Sequence, residues 1–83
     1  MLRYVIYTTE SLWDPKQVIG QAGSEMAAMS IIVSFCDREM LKHTLMPYKN
    51  GFTGIRRVNY DMDIKEETNC YIWYEDTHKK DEP

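Results

Sequence analysis

The sequence predicts an α+β fold of two layers. One long helix packs on one face of an antiparallel sheet of three to four strands, in the order ββαββ, or βαββ if the first hairpin does not form. Three observations predict it. A single long run, Ser24 to about His43, repeats its apolar residues with helical period. The stretches Leu2–Thr9, Arg57–Lys65 and Cys70–Glu75 are rich in β-branched and aromatic residues or alternate in polarity. And 83 residues make one domain, with no room for a second core.

Leu2–Thr9 reads as the first strand, with Leu2, Tyr4 and Ile6 on one face and Arg3, Val5 and Tyr7 on the other. Lys16–Ala22 (KQVIGQA) follows as the second arm of a hairpin whose loop holds Trp13, Asp14 and Pro15. The competing reading is a short helix starting at Asp14-Pro15, which Gly20 and Gly23 would end within about a turn. In the long run, a step of about 100° per residue places Met29, Ile32, Val33, Cys36, Met40 and His43 on one arc, flanked by Ala28 and Phe35. Ser24 is the N-cap, Glu25 complements the helix dipole, Lys42 and His43 sit near the other end, and Pro47 stops the run.

PYKNGFTG reads as a loop, with Asn50-Gly51 supplying positive φ and Gly54 loosening the entry to the next strand. In Arg57–Lys65, Val58, Tyr60, Met62 and Ile64 alternate with polar residues, and the phase of Ile55 suggests a bulge near Arg56-Arg57. Glu66–Asn69 turns the chain. Cys70–Glu75 returns with Cys70, Ile72 and Tyr74 pointing inward and Tyr71, Trp73 and Glu75 outward. Residues 1–76 thus form a single domain, and 77–83 a flexible polar tail.

A net charge of −3 argues against a duplex-DNA binder, which needs a clear basic excess. The charge is uneven: residues 1–54 balance, whereas 55–83 carry eight acids and five bases. Cys36 and Cys70 make neither a disulfide framework nor a zinc set and read as buried thiols. No signal peptide or membrane span is evident, so a cytoplasmic location is expected. His43 and His78 assemble no Cys-His or Ser-His-Asp arrangement, and neither a catalytic residue, a cofactor nor a metal is expected.

One helix leaves one sheet face uncovered. That face would display Tyr71, Trp73 and Glu75 beside Arg57, Asp61 and Asp63. Tryptophan, tyrosine and arginine are enriched at protein-binding hot spots, so these six residues are the expected partner-binding set. Their acids suit another protein with a basic surface. The expected role is therefore non-enzymatic binding that occludes or modulates another macromolecule. Small acidic single-domain chains of this kind occur among phage-encoded inhibitors of host enzymes, an analogy of size and charge. Three other readings stand beside it. Tyr71, Trp73, Arg56 and Arg57 could bind single-stranded nucleic acid by stacking. Asp61 and Asp63 could hold a metal for phosphodiester chemistry. The aromatic face could pair with a second copy in a homodimer.

Overall fold

The computed structural model describes residues 3–41, 44–59 and 65–78, with backbone alone at 57–59 and 65–66. Among these residues the elements run β1 (Tyr4–Thr9), β2 (Gln17–Ala22), α1 (Glu25–Arg38), β3 (Met46–Tyr48), β4 (Gly51–Asn59) and β5 (Lys65–Asp76). The strands form one antiparallel sheet of order β2-β1-β5-β4-β3, and α1 packs on one face of it. The α+β class and the single helix agree with the sequence. The strand count does not: the described residues hold five strands, in the order ββαβββ.

β2 is a strand, and its pairing with β1 is interrupted by a bulge. Ile6 pairs with Gly20 but Tyr7 with Val18, so Ile19 is the extra residue. The bulge lets Ile19 pack against the core. Gly20 faces the helix, where a Cβ would meet the Ile31 side chain in ordinary contact at 3.6 Å.

α1 begins as the sequence predicts, with Ser24 Oγ accepting the Ala27 amide at 3.1 Å. It ends five residues earlier than predicted. Met40 takes φ 58°, Leu41 N–H donates to Cys36 C=O at 2.9 Å, and Met40 N–H donates to Asp37 C=O at 3.1 Å. These bonds form a Schellman motif in which methionine stands where glycine is usual. Reversal at Met40 drops Leu41 into the core, fully buried beside Cys36. The buried stripe is consequently Ala28, Ile32, Phe35 and Cys36, whereas Val33 and Met40, expected on the core arc, are exposed. His43 and Lys42 lie outside the described residues.

The segment expected to be a loop is mostly sheet. β3 is a three-residue edge strand, tolerant of Pro47 because an edge strand has a side that need not donate to a neighbour. Positive φ at the β3–β4 turn falls on Lys49 (47°), not on Asn50 or Gly51. Gly51 matters for another reason: a Cβ there would collide with the β5 backbone at Ile72 and Trp73. Gly54 sits buried inside β4, where Leu41 Cβ and Thr44 Oγ1 cross it at 3.0 and 3.2 Å from any added Cβ. Thr44 Oγ1 accepts the Ile55 amide at 2.7 Å and fastens that crossing.

The last hairpin is displaced along the chain. Asn59 pairs with Lys65, so the predicted strand Arg57–Lys65 belongs at its two ends to two different strands. Glu66–Asn69, expected as the turn, is part of β5. Pairing runs unshifted from Gly51 to Asn59, so there is no bulge at Arg56-Arg57. Tyr60–Ile64, including Met62, lie outside the described residues. At the C-terminal end, Thr77, which the sequence assigns to the tail, is held by its amide and hydroxyl to Arg3 C=O at 3.0 and 2.8 Å.

The core lies between α1 and the sheet face formed by Tyr4, Ile6, Cys70 and Ile72, with Tyr74 edge-on to Tyr4 at 5.4 Å. Two substitutions test this backbone account by urea denaturation. Met40→Gly relieves a left-handed residue whose side chain is 81% exposed, and should stabilise the chain by about 1 kcal/mol. Gly51→Ala should destabilise it by about 1–3 kcal/mol, because β5 backbone must move.

Candidate functional site

The face opposite α1 is built on β5. Alternation turns Tyr71, Trp73 and Glu75 away from the Cys70, Ile72 and Tyr74 face, as the sequence predicts. Pairing of Tyr7 with Trp73 brings their rings to 5.9 Å. The β3–β4 hairpin folds Tyr48 over the same patch, 5.0 Å from Tyr71 and 5.7 Å from Trp73. Lys49 Nζ lies 5.1 Å from the Trp73 ring, and Lys16 Nζ lies 4.1 Å from the Tyr7 ring.

This cover changes the role of Trp73. The sequence places it on an open face as an exposed anchor, but it is 4% exposed. Its Nε1–H donates to Glu75 Oε2 at 2.9 Å, so the indole is both buried and satisfied. Tyr7, Tyr48 and Tyr71 are partly buried and form the outer layer above it.

Glu75 is occupied as well. Lys16 Nζ donates to the same Oε2 at 2.6 Å. That bond, with lesser help from the Trp73 indole, holds the Glu75 carboxyl below its ordinary pKa. The central patch thus offers two lysines and one neutralised glutamate, and is not acidic. Arg57 pairs across the ladder with Glu67, and its side chain lies outside what is described, as do Asp61 and Asp63 altogether.

A second concavity lies on the helix side of the sheet. It is a cleft of about 600 Å³ between the β1–β2 loop, the C-terminal half of α1, and the start of the β4–β5 ribbon. Glu10, Asp14 and Pro15 line it from the β1–β2 connection, Phe35 and Glu39 from the end of α1, and Thr8, Ile19, Arg56 and Cys70 from the sheet. Arg56, which the stacking alternative assigned to the aromatic face, is here instead. Its guanidinium contacts Glu10 Oε1 at 3.2 Å, Glu39 Oε1 at 3.3 Å and Cys70 Sγ at 3.7 Å. Its Nε is buried without an acceptor among the described residues.

Cys36 and Cys70 are free, buried thiols. Burial pushes both thiol pKa values up, and the nearby Cys70 and Asp37 charges raise that of Cys36 further. Among the described residues no group of three His, Cys, Asp or Glu could hold a metal, and no helix is long and apolar enough to cross a membrane.

Two features of the surface carry no sequence signal of their role: Tyr48, in a stretch that reads as loop, and Trp13, which is 95% exposed in the β1–β2 loop. No family model, curated protein or solved structure matches the chain.

Two measurements check this site. A thiol reagent at pH 8 should leave Cys36 and Cys70 unmodified until denaturant is added, when both react. Because the folded Glu75 pKa is lowered, its contribution is complete above the unfolded carboxyl pKa and is lost as pH falls through the folded value. Glu75→Gln should therefore cost up to about 1 kcal/mol at neutral pH, the pair being exposed, and should flatten the acid limb of a pH–stability curve.

Proposed function

We propose that this chain is a non-enzymatic protein-binding domain that acts in the cytoplasm by occluding or modulating another macromolecule through its helix-free sheet face. The observation that supports this reading is the tyrosine layer, Tyr7, Tyr48 and Tyr71, seated on a buried and hydrogen-bonded Trp73. Rigid tyrosines on a fixed base lose little entropy on binding, and tyrosine is a preferred hot-spot residue. Trp73 then supports the anchors and does not itself make the contact. Glu75 fixes Trp73 and Lys16, and so shapes the patch. Acidic complementarity to a basic partner would come from Asp61 and Asp63.

One observation favours a second reading, single-stranded nucleic-acid binding. Lys16 and Lys49 lie against aromatic rings, as in surfaces that pair base stacking with phosphate neutralisation. Arg56 does not contribute, being held in the cleft by Glu10 and Glu39.

The two readings separate in a tagged pull-down from cytosol with and without nuclease. Protein binding predicts one protein near stoichiometry, recovered regardless of nuclease and lost with Tyr71→Ala. The circular dichroism of that variant should stay that of a folded chain, even though the loss of its packing on Tyr48 lowers thermal stability somewhat. Recovery of nucleic acid, or of proteins released by nuclease, would favour the second reading. Trp73→Ala should instead destabilise the fold by about 3–5 kcal/mol, as expected for a buried indole.

A further inference from the structure

The β1–β2 loop presents its apolar residues to water on a hydrogen-bonded turn. Trp13 is 95% exposed and Leu12 60% exposed. The turn beneath them is nonetheless well tied. Asp14 N–H donates to Ser11 C=O at 3.1 Å, and Trp13 N–H donates to Ser11 Oγ at 3.2 Å. Thr9 Oγ1 accepts the Ser11 amide at 3.3 Å and donates to Ser11 C=O at 2.7 Å. The backbone is thus pre-organised while the indole has no cover, the reverse of Trp73. A large aromatic held out on a rigid turn has much area to bury and little loop entropy to lose on binding.

The surroundings specify the partner. Glu10 and Asp14 flank the turn, and both wall the cleft beside it. With Glu39 and Arg56, the single cation among the lining residues, the cleft carries three carboxylates to one guanidinium. Arg56 engages Glu10 and Glu39, which leaves a net negative charge and the Asp14 carboxylate outside that pairing. A basic side chain entering the cleft would bring its charge beside Asp14, the lining carboxylate that Arg56 does not engage, with Ile19 and Pro15 there to meet its methylenes. Anionic lipid fits badly, because membrane-surface tryptophans work beside lysine and arginine, whereas here the neighbours are acidic.

We propose that the Leu12–Trp13 turn and the acid-walled cleft form one docking surface for a protein segment that pairs an apolar pocket or cluster with a lysine or arginine. Trp13 enters the apolar part and the cleft takes the cation. This rests on the reading of the chain as a protein-binding domain, and adds a contact separate from the tyrosine face.

The test uses the full chain, immobilised, and a displayed library of random twelve-residue peptides as the probe. Enriched peptides should combine large apolar residues with lysine or arginine, and should shift Trp13 emission to the blue on binding. Trp13→Ala should weaken them more than about tenfold. Asp14→Asn should weaken them and reduce their salt dependence, while Tyr71→Ala leaves them unchanged. Circular dichroism should show Trp13→Ala folded like the parent, since its side chain has no packing to lose. Failure to enrich any peptide, peptides without basic residues, or binding undiminished by Trp13→Ala would overturn the proposal. So would binding to phosphatidylserine vesicles that depends on Trp13. Peptides that depend on Tyr71 and ignore Trp13 would also overturn it while leaving the sheet-face reading standing.

Discussion

A single helix cannot cover both faces of a five-stranded sheet, and the organisation of this chain follows from that constraint. β5 is central, paired with β1 on one side and β4 on the other, and its adjacent residues Ile72 and Trp73 are buried on opposite faces of the sheet. Towards α1 the solution is conventional: Cys70 and Ile72 enter a core with Ile6, Ile32 and Leu41. On the other face the described residues supply no helix, and the sheet roofs itself. Tyr7 from β1, Tyr48 from β3 and Lys49 from the turn after it lie over Trp73, and Lys16 lies over Tyr7 in turn. Long amphipathic side chains suit this task because they bury stems and rings while their polar ends stay in water.

The same constraint explains how the polar groups are placed. An indole buried under tyrosines needs an acceptor, and Glu75, two residues along the same strand face, supplies it. A carboxylate beside aromatic rings needs a cation, and Lys16 arrives from the β1–β2 connection. The patch is therefore a connected set in which Lys16, Glu75 and Trp73 position one another. On the helix side Arg56 serves a similar purpose, joining the β4–β5 ribbon to Glu39 at the end of α1 and to Glu10 at the end of β1. Three elements that share no backbone pairing at that point meet through one guanidinium.

How far the sequence discloses this depends on the range of each determinant. The start of α1 is legible because Ser24 acts on residues three away. The faces of β1 and β5 are legible because alternation is local. The helix end is not, since Met40 adopts a left-handed conformation without glycine, under the demand of the core for Leu41. The final hairpin is misplaced because Val58, Tyr60, Met62 and Ile64 keep an unbroken alternation, with no glycine or proline between the paired residues Asn59 and Lys65. β3 is hidden by its brevity and its proline. For the site, alternation assigns Trp73 to its face but cannot report that residues from β1 and β3 will cover it. Burial on an open sheet is set by partners distant in sequence.

Comparison of the two tryptophans separates structural from interactive aromatic surface. Trp73 has neighbouring rings, a hydrogen-bond acceptor and 4% exposure, so its apolar area is already removed from water by folding. Trp13 has 95% exposure on a turn whose hydrogen bonds restrict the backbone but bury nothing. Folding gains nothing from the Trp13 ring, which leaves its hydrophobic free energy for association. The tyrosines lie between these limits, partly spent on covering Trp73 and partly open. A partner that engaged only the tyrosine face would find much of the aromatic area already used by the fold. One that reached the β1–β2 loop would meet the largest unspent apolar side chain among the described residues, with carboxylates on either side to orient it.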